Sequence, residues 1–161
     1  MANFTGANVI AASDVTAYQT DAFDFGIASG ASEVTAWLAQ TTNDILRDLR
    51  IKWWPMYKSN IYTDITVLNT VEMVNTKIDL DQFERAGVYL FLSRFFLPAL
   101  TKFRPEADKD RFERMIEFYS SSYTKEFQTI LEDGVNYDSD ESGVISVSER
   151  EPLHGHKRLS R

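Results

Sequence analysis

The residues best suited to chemistry form an oxygen-rich segment near the end of the chain. Residues 138–149 read Asp-Ser-Asp-Glu-Ser-Gly-Val-Ile-Ser-Val-Ser-Glu. This order matches the calcium-binding loop of an EF-hand, with Gly143 at the sharp turn and Ile145 at the apolar position. The predicted calcium ligands are oxygen donors at the remaining diagnostic positions: Asp138, Asp140, Ser142, the Val144 carbonyl, Ser146 through a water, and bidentate Glu149.

The sequence around this loop also fits a second interpretation. Glu149 is followed by Arg150-Glu151-Pro152, which leaves no exit helix of ordinary length because proline disfavours the helical conformation in its predecessor. We find no second loop with which it could pair. The alternative is an acidic turn before a β-like segment at 144–147. The sequence therefore requires no cofactor and allows calcium, and both interpretations stay open.

The remaining polar residues do not predict catalysis. His154 and His156 stand together near the C-terminus, but two histidines without further ligands do not form a metal site. The chain has no cysteine, which excludes a thiol nucleophile and a zinc-thiolate site. Glu113 and Glu117 lie beside two arginines, a pattern typical of a solvated helix face. With no group poised as nucleophile or base, we predict that the protein is not an enzyme.

The charge pattern predicts a docking segment. The net charge of −7 argues against nucleic-acid binding as the main function, since phosphate recognition needs clustered cations. An acidic stretch at 133–151 precedes a basic tip at 152–161, which contains Lys157, Arg158 and Arg161 and no acid. This arrangement is typical of docking segments, whereas a solvated, frayed terminus is the alternative.

Membrane insertion is not predicted. The N-terminus lacks a basic region followed by an apolar run, so we predict no signal peptide. The longest apolar-rich stretch, 88–100, contains Arg94 and is too short to span a bilayer.

Helical periodicity predicts a mainly α fold: a small helical domain at 1–133, built on an antiparallel hairpin of long helices, and an extended C-terminal docking tail at 134–161. The predicted helices cover 13–23, 33–52, 80–103 and 106–133. Gly134 is the expected C-cap of the last one.

Two prolines and one β-branched run qualify this outline. Pro55 is expected to stop the second helix, and Pro98 to kink or shorten the third. Residues 61–68 predict a short strand or extended arm because they are rich in β-branched side chains. Trp53 and Trp54 follow the second helix. They either pack in the core or serve as interface aromatics, since aromatic side chains are enriched in both places.

The second half of the chain resembles the small head-to-tail connector, or adaptor, proteins of tailed bacteriophages. The resemblance covers residues 80–161. It rests on the aromatic-rich segment 86–92, the aromatic period from Phe112 to Leu131, the Gly-Val-Asn-Tyr-Asp stretch at 134–138 and the terminal Lys-Arg-Leu-Ser-Arg.

The resemblance implies a ring of identical subunits, usually dodecameric, in the virion at the head-tail junction, after synthesis in the host cytoplasm. The tail, with Lys157, Arg158, Leu159 and Arg161, would dock on the portal protein. The opposite face would receive a tail protein or a second neck protein. DNA would pass without specific binding through a channel whose negative charge repels it. The alternative function is a calcium-binding interaction module with a single EF-hand-like loop.

Overall fold

The computed structural model describes residues 8–25, 27–101 and 109–151. These residues are predominantly helical, and the strands among them are two segments of two residues each. The prediction of a small, mainly α protein is therefore confirmed. No helix within the described ranges is long and apolar enough to cross a bilayer.

The first part of the chain forms α1 (Ala12–Tyr18), a 3-10 turn (Ala22–Phe25) and α2 (Ser32–Lys52). The α2 helix has almost the predicted bounds and buries apolar side chains at helical spacing, among them Val34, Ile45 and Leu49. The α2 helix ends before Pro55, as predicted, and α3 (Trp54–Ile61) begins directly afterwards with this proline in its first turn. A proline is tolerated there because the first N–H groups of a helix have no intrahelical partner.

The predicted strand at 61–68 is wrong. The α3 helix continues to Ile61, and α4 (Ile65–Thr70) follows after three residues. The Asp64 carboxylate accepts a hydrogen bond from the Thr66 backbone N–H at 2.8 Å, and this N-cap fixes the start of α4. A cap of this kind outweighs the strand preference of β-branched residues, which depends strongly on context.

The predicted third helix is interrupted by a wider turn. A 3-10 turn (Leu80–Phe83) leads into α5 (Glu84–Phe91), a π-helical turn (Leu92–Phe96) and α6 (Leu97–Thr101). Pro98 lies in the first turn of α6 and does not end the helical path. The π-turn immediately precedes it, at the place where a proline interrupts the hydrogen-bond ladder.

The α7 helix (Lys109–Asp133) packs along α5 in the opposite direction. Phe83, just before α5, lies 6.0 Å from Phe127 between ring centroids, whereas Tyr89 lies 5.9 Å from Tyr119. The joint predicted between these helices falls within 102–108, outside the described residues, so the hairpin connection itself stays a prediction. Gly134 ends α7 with a φ of 101°, the left-handed conformation that favours glycine in this position.

The core extends past the predicted domain boundary at 133. After α7, β1 (Val135–Asn136) pairs antiparallel with β2 (Arg150–Glu151), and Tyr137 forms an isolated bridge with Ile78. Val135 and Tyr137 are 0% and 5% exposed. The beginning of the predicted docking tail is therefore part of the helical domain's core, because two alternate residues of a short strand face inward.

Trp53 and Trp54 belong to this core, so the structure supports core packing and not the alternative of interface aromatics. Their rings and those of Tyr57 and Tyr137 form one buried cluster, with every pair of centroids between 4.6 and 5.8 Å apart. All four side chains are buried within this single chain. The two tryptophans, which follow α2, therefore pack against the segment after α7 and not against solvent.

A close contact also joins the N-terminal segment to α5. Val9 and Ile10 are buried and lie directly over Gly87. A Cβ at position 87 would stand 2.4 Å from Val9 Cγ1 and 2.9 Å from Ile10 Cγ2. Glycine is therefore required here by space, since this backbone approach leaves no room for a side chain.

Candidate functional site

The oxygen-rich loop 138–149 is fastened to the core at both ends. It leaves the core after Tyr137 and returns through β2. Lys77 braces it from outside, because its Nζ donates to the Ser139 carbonyl and contacts the Glu141 carboxylate, both at 3.0 Å. The hydrogen bond to Glu141 raises the pKa of Lys77. The loop is thus a closed turn held on the domain surface.

The first half of the loop folds around Asp138. Its two carboxylate oxygens accept the backbone N–H groups of Ser142 at 3.0 Å and Gly143 at 2.8 Å. Asp140 also accepts from the Ser142 N–H at 3.0 Å. Gly143 has a φ of 75°, so the sharp turn predicted at this position is observed, and glycine suits it because the left-handed region is open to it.

The second half is closed by Glu149. One carboxylate oxygen accepts the Ser139 backbone N–H at 2.8 Å and the Ser139 hydroxyl at 2.9 Å. The other accepts the Ser146 N–H at 2.9 Å and the Ser146 hydroxyl at 2.8 Å. These hydrogen bonds, the one from the Ser146 N–H first, lower the pKa of Glu149 to about 2. We call this arrangement the Glu149 clasp.

The distances between the carboxylate oxygens suit a calcium ion. One oxygen from each of Asp138, Asp140 and Glu149 lies within 4.8 Å of the others. Calcium–oxygen distances are about 2.3–2.6 Å, so two ligands of one ion lie at most about 5 Å apart. The structure therefore brings together the three acidic residues that the motif predicted as ligands.

The other predicted ligands are engaged within the loop. The Ser142 hydroxyl donates to the Val144 carbonyl at 3.0 Å, and the Ser146 hydroxyl donates to Glu149. Bidentate binding by Glu149 would have to replace hydrogen bonds of the clasp. These residues can hold calcium only in competition with the contacts that already stabilise the carboxylates.

The flanks of the loop differ from those of an EF-hand. A bridge residue, Tyr137, precedes it, and its last residues form a 3-10 turn (Val147–Glu149) that leads directly into β2. Arg150 and Glu151 form a strand where the exit helix of an EF-hand would begin. The loop connects two strands, so no pair of helices is available to be moved by an ion.

The predicted docking residues Lys157, Arg158, Leu159 and Arg161 lie outside the described residues. The structure does show how the chain approaches them. Before them, Glu151 pairs with Val135, so β2 ends beside the residue that follows Gly134.

An exposed apolar surface on α3 and α4 was not predicted. Met56, Ile61 and Ile65 all project into solvent, and Ile65 is 73% exposed. The α4 helix has no buried residue, although the Lys58 Nζ ties it to α3 by donating to the Leu68 carbonyl at 3.0 Å. The signal was present in the apolar run around Ile65, which we interpreted as a strand. We call Met56, Ile61 and Ile65 the α3–α4 apolar surface.

Polar groups between α2, α7 and the π-turn form ion pairs, not a poised catalytic pair. The buried Asp44 carboxylate lies 3.1 Å from Arg94 and 3.4 Å from Arg47. Tyr123 donates its hydroxyl to Asp48 at 2.9 Å, and burial together with this hydrogen bond raises the pKa of Tyr123. These groups hold the helices together through their pairing.

Comparison with known proteins leaves the function to be argued from these features. No protein-family model, curated protein or solved structure matches the chain.

Proposed function

We propose that this protein is a structural subunit of a tailed-phage neck. Copies of it would form a ring that joins the portal protein to the tail or to a second neck protein and lines the DNA channel. It would act by assembly and not by catalysis. The sequence resemblance over 80–161 supports the phage assignment, and the α3–α4 apolar surface is the observation that carries the assembly role.

The α3–α4 apolar surface is costly for an isolated chain. Burial of apolar surface is favourable by about 25 cal/mol per Å², and an exposed side chain does not gain this free energy. Large apolar side chains that a single chain leaves exposed are candidates for contact with a neighbouring subunit. A subunit in a closed ring contacts two neighbours, so a ring provides the burial that one chain does not.

The C-terminal segment supplies the second part of the proposal. The Glu149 clasp and the β1–β2 pairing fix the position of β2, the last described part of the chain. The following residues, 152–161, carry Lys157, Arg158 and Arg161 and no acid. A basic segment with a fixed origin suits insertion into acidic or carbonyl-lined pockets of the portal protein.

The assembly role can be tested with two substitutions in the same helix. Ile65→Asp introduces a charge into the α3–α4 apolar surface, whereas Thr66→Asp introduces the same charge at an exposed position about 100° around α4. We expect Ile65→Asp to abolish ring formation with the portal protein and Thr66→Asp to leave it intact. Native mass spectrometry of the co-assembled complex gives the subunit count. Normal rings with Ile65→Asp would refute the role of this surface.

The phage assignment has its own test. A reconstruction of the particle should place this chain between the portal and the tail. Density for the chain elsewhere in the particle would refute the neck assignment, whatever the outcome for Ile65.

A second candidate function is a calcium-binding interaction module. The observation in its favour is the approach of the Asp138, Asp140 and Glu149 oxygens to within 4.8 Å. The hydrogen bonds of the Glu149 clasp oppose it. A calcium titration of the wild-type protein and of Glu149→Gln separates the two functions, because tight calcium binding is expected only of the module.

A further inference from the structure

A groove lies where the end of α7 meets the two-stranded sheet. Its volume is about 240 Å³, and its lining comes from four elements: Gln82, Ile130, Asp133, Gly134, Asn136 and Arg150. The Gln82 carbonyl oxygen accepts the Asn136 N–H at 3.3 Å. The Gln82 Nε2, by contrast, is buried and has no hydrogen-bond partner among the described residues. Buried donors are normally paired, so this groove lacks an acceptor.

The end of α7 also lacks a cation. Its last turn contains Glu132 and Asp133 and no basic residue. The C-terminal end of a helix carries partial negative charge and favours cations, so two acids there are unfavourably placed. The neighbouring Arg150 is already turned to another partner, because its Nε donates to the Asn136 side chain at 2.8 Å.

The chain itself leads towards this place. Arg150 lines the groove and Glu151 pairs with Val135, so β2 ends at the edge of the groove, close to Gly134. Lys157 follows six residues after Glu151, a reach of about 20 Å in an extended chain. The segment thus offers main-chain carbonyls and an apolar side chain for the groove. Its cations could neutralise the end of α7.

We propose that residues 152–158 of the same chain occupy this groove before assembly. Leu153 packs against Ile130, a carbonyl of the segment accepts the Gln82 amide, and Lys157 and Arg158 neutralise the end of α7. The occupancy concerns the isolated chain. Its consequence rests on the proposed function: the docking segment is held back until the portal protein displaces it.

Disulfide trapping tests the occupancy directly, because the chain has no cysteine of its own. One variant combines Asp133→Cys with His154→Cys, which leaves Leu153 in place. The matched control combines Lys125→Cys, an exposed position two turns earlier on α7, with His154→Cys. We expect the first pair to oxidise at least about tenfold faster and to remain monomeric on a non-reducing gel. Circular dichroism of both proteins checks that they are folded.

Two results of the trapping experiment would overturn the proposal. Equal rates for the two pairs mean that the segment does not rest in the groove. Rapid bonding between two chains means that the groove holds the segment of a second copy. Reversal of the cations by Lys157→Glu and Arg158→Glu should slow oxidation of the first pair. Equal slowing by Arg111→Glu and Arg114→Glu, at the opposite end of α7, would contradict the specific contact.

Hydrogen exchange gives a second measurement, in proteins without introduced cysteines. The Gln82 side-chain amide should exchange at least about tenfold more slowly in the wild-type chain than in Leu153→Ser. Equal exchange in the two proteins would overturn the proposal. These measurements need no portal protein, so their failure is distinct from a failure of the connector role.

Discussion

Tyr137→Ala is the sharpest test of where the domain ends. Tyr137 is almost fully buried, and its ring centroid lies 5.6 Å from Trp53, 5.6 Å from Trp54 and 5.2 Å from Tyr57. Truncation of a buried aromatic side chain to alanine costs about 3–5 kcal/mol, and each ring pair accounts for about 0.5–1.5 kcal/mol beyond burial. We expect a loss of about 3–5 kcal/mol from a total stability on the order of 5–15 kcal/mol.

Urea denaturation followed by tryptophan fluorescence measures this loss, since two tryptophans touch the mutated ring. Tyr137→Phe keeps the ring and removes the acceptor of the long 3.4 Å hydrogen bond from Val74, so it should cost about 1 kcal/mol or less. Val147→Ala, at an almost fully exposed position of the following loop, should change stability by less than about 0.5 kcal/mol. A loss below about 1 kcal/mol for Tyr137→Ala would show that the segment after α7 is not part of the core.

The remaining predictions concern three other positions. Phe91→Ala should cost about 3–5 kcal/mol in urea denaturation because Phe91 is fully buried, whereas Phe118→Ala, at a position 61% exposed, should be nearly neutral; similar losses would mean that the core is misplaced. Gly87→Ala should lower Tm, because overpacking against Val9 costs about 1–3 kcal/mol and the gain in helix propensity is about 1 kcal/mol; a higher Tm would show that the N-terminal segment yields. The pKa of Glu149 lies at about 2, below its ordinary 4.5, so its charge stabilises the fold above pH 4.5 and this contribution is lost as the pH falls towards 2. The Tm difference between wild type and Glu149→Gln should therefore narrow over that interval, and a constant difference would refute the role of the clasp. Calorimetry should show calcium binding no tighter than about 10⁻⁴ to 10⁻³ M, lost in Glu149→Gln; micromolar binding would favour the calcium module.

The long helices could be predicted from the sequence because the spacing of apolar residues indicates a buried face over many residues. The α2 helix, predicted at 33–52, is observed at Ser32–Lys52, and α7 follows the aromatic period that predicted it. Val135 and Tyr137 gave no such signal, since two alternate residues do not establish a period. The strand predicted at 61–68 failed because a single Asp64 cap decides a short segment whose intrinsic preferences are weak.

The candidate site was predictable in part. Motif spacing correctly predicted that Asp138, Asp140 and Glu149 converge, because a loop of this length with a glycine turn folds back on itself. It could not predict that serines would saturate Glu149, since hydroxyl orientation depends on the folded backbone. The α3–α4 apolar surface was hidden for a related reason: a sequence shows that a side chain is apolar and does not show whether anything covers it.

The π-turn at Leu92–Phe96 gives one helix tolerance towards a change in chain length. Each residue of an α-helix advances the direction of its side chain by about 100°, and a π-turn accommodates one residue more than an α-turn. Deletion of a single residue there would let the backbone return to α-helical spacing. Leu97 and Leu100, both buried, would keep their direction towards the core, because the widened turn had already absorbed the extra residue. The helical path can therefore lose one residue at this turn without turning its buried face towards solvent.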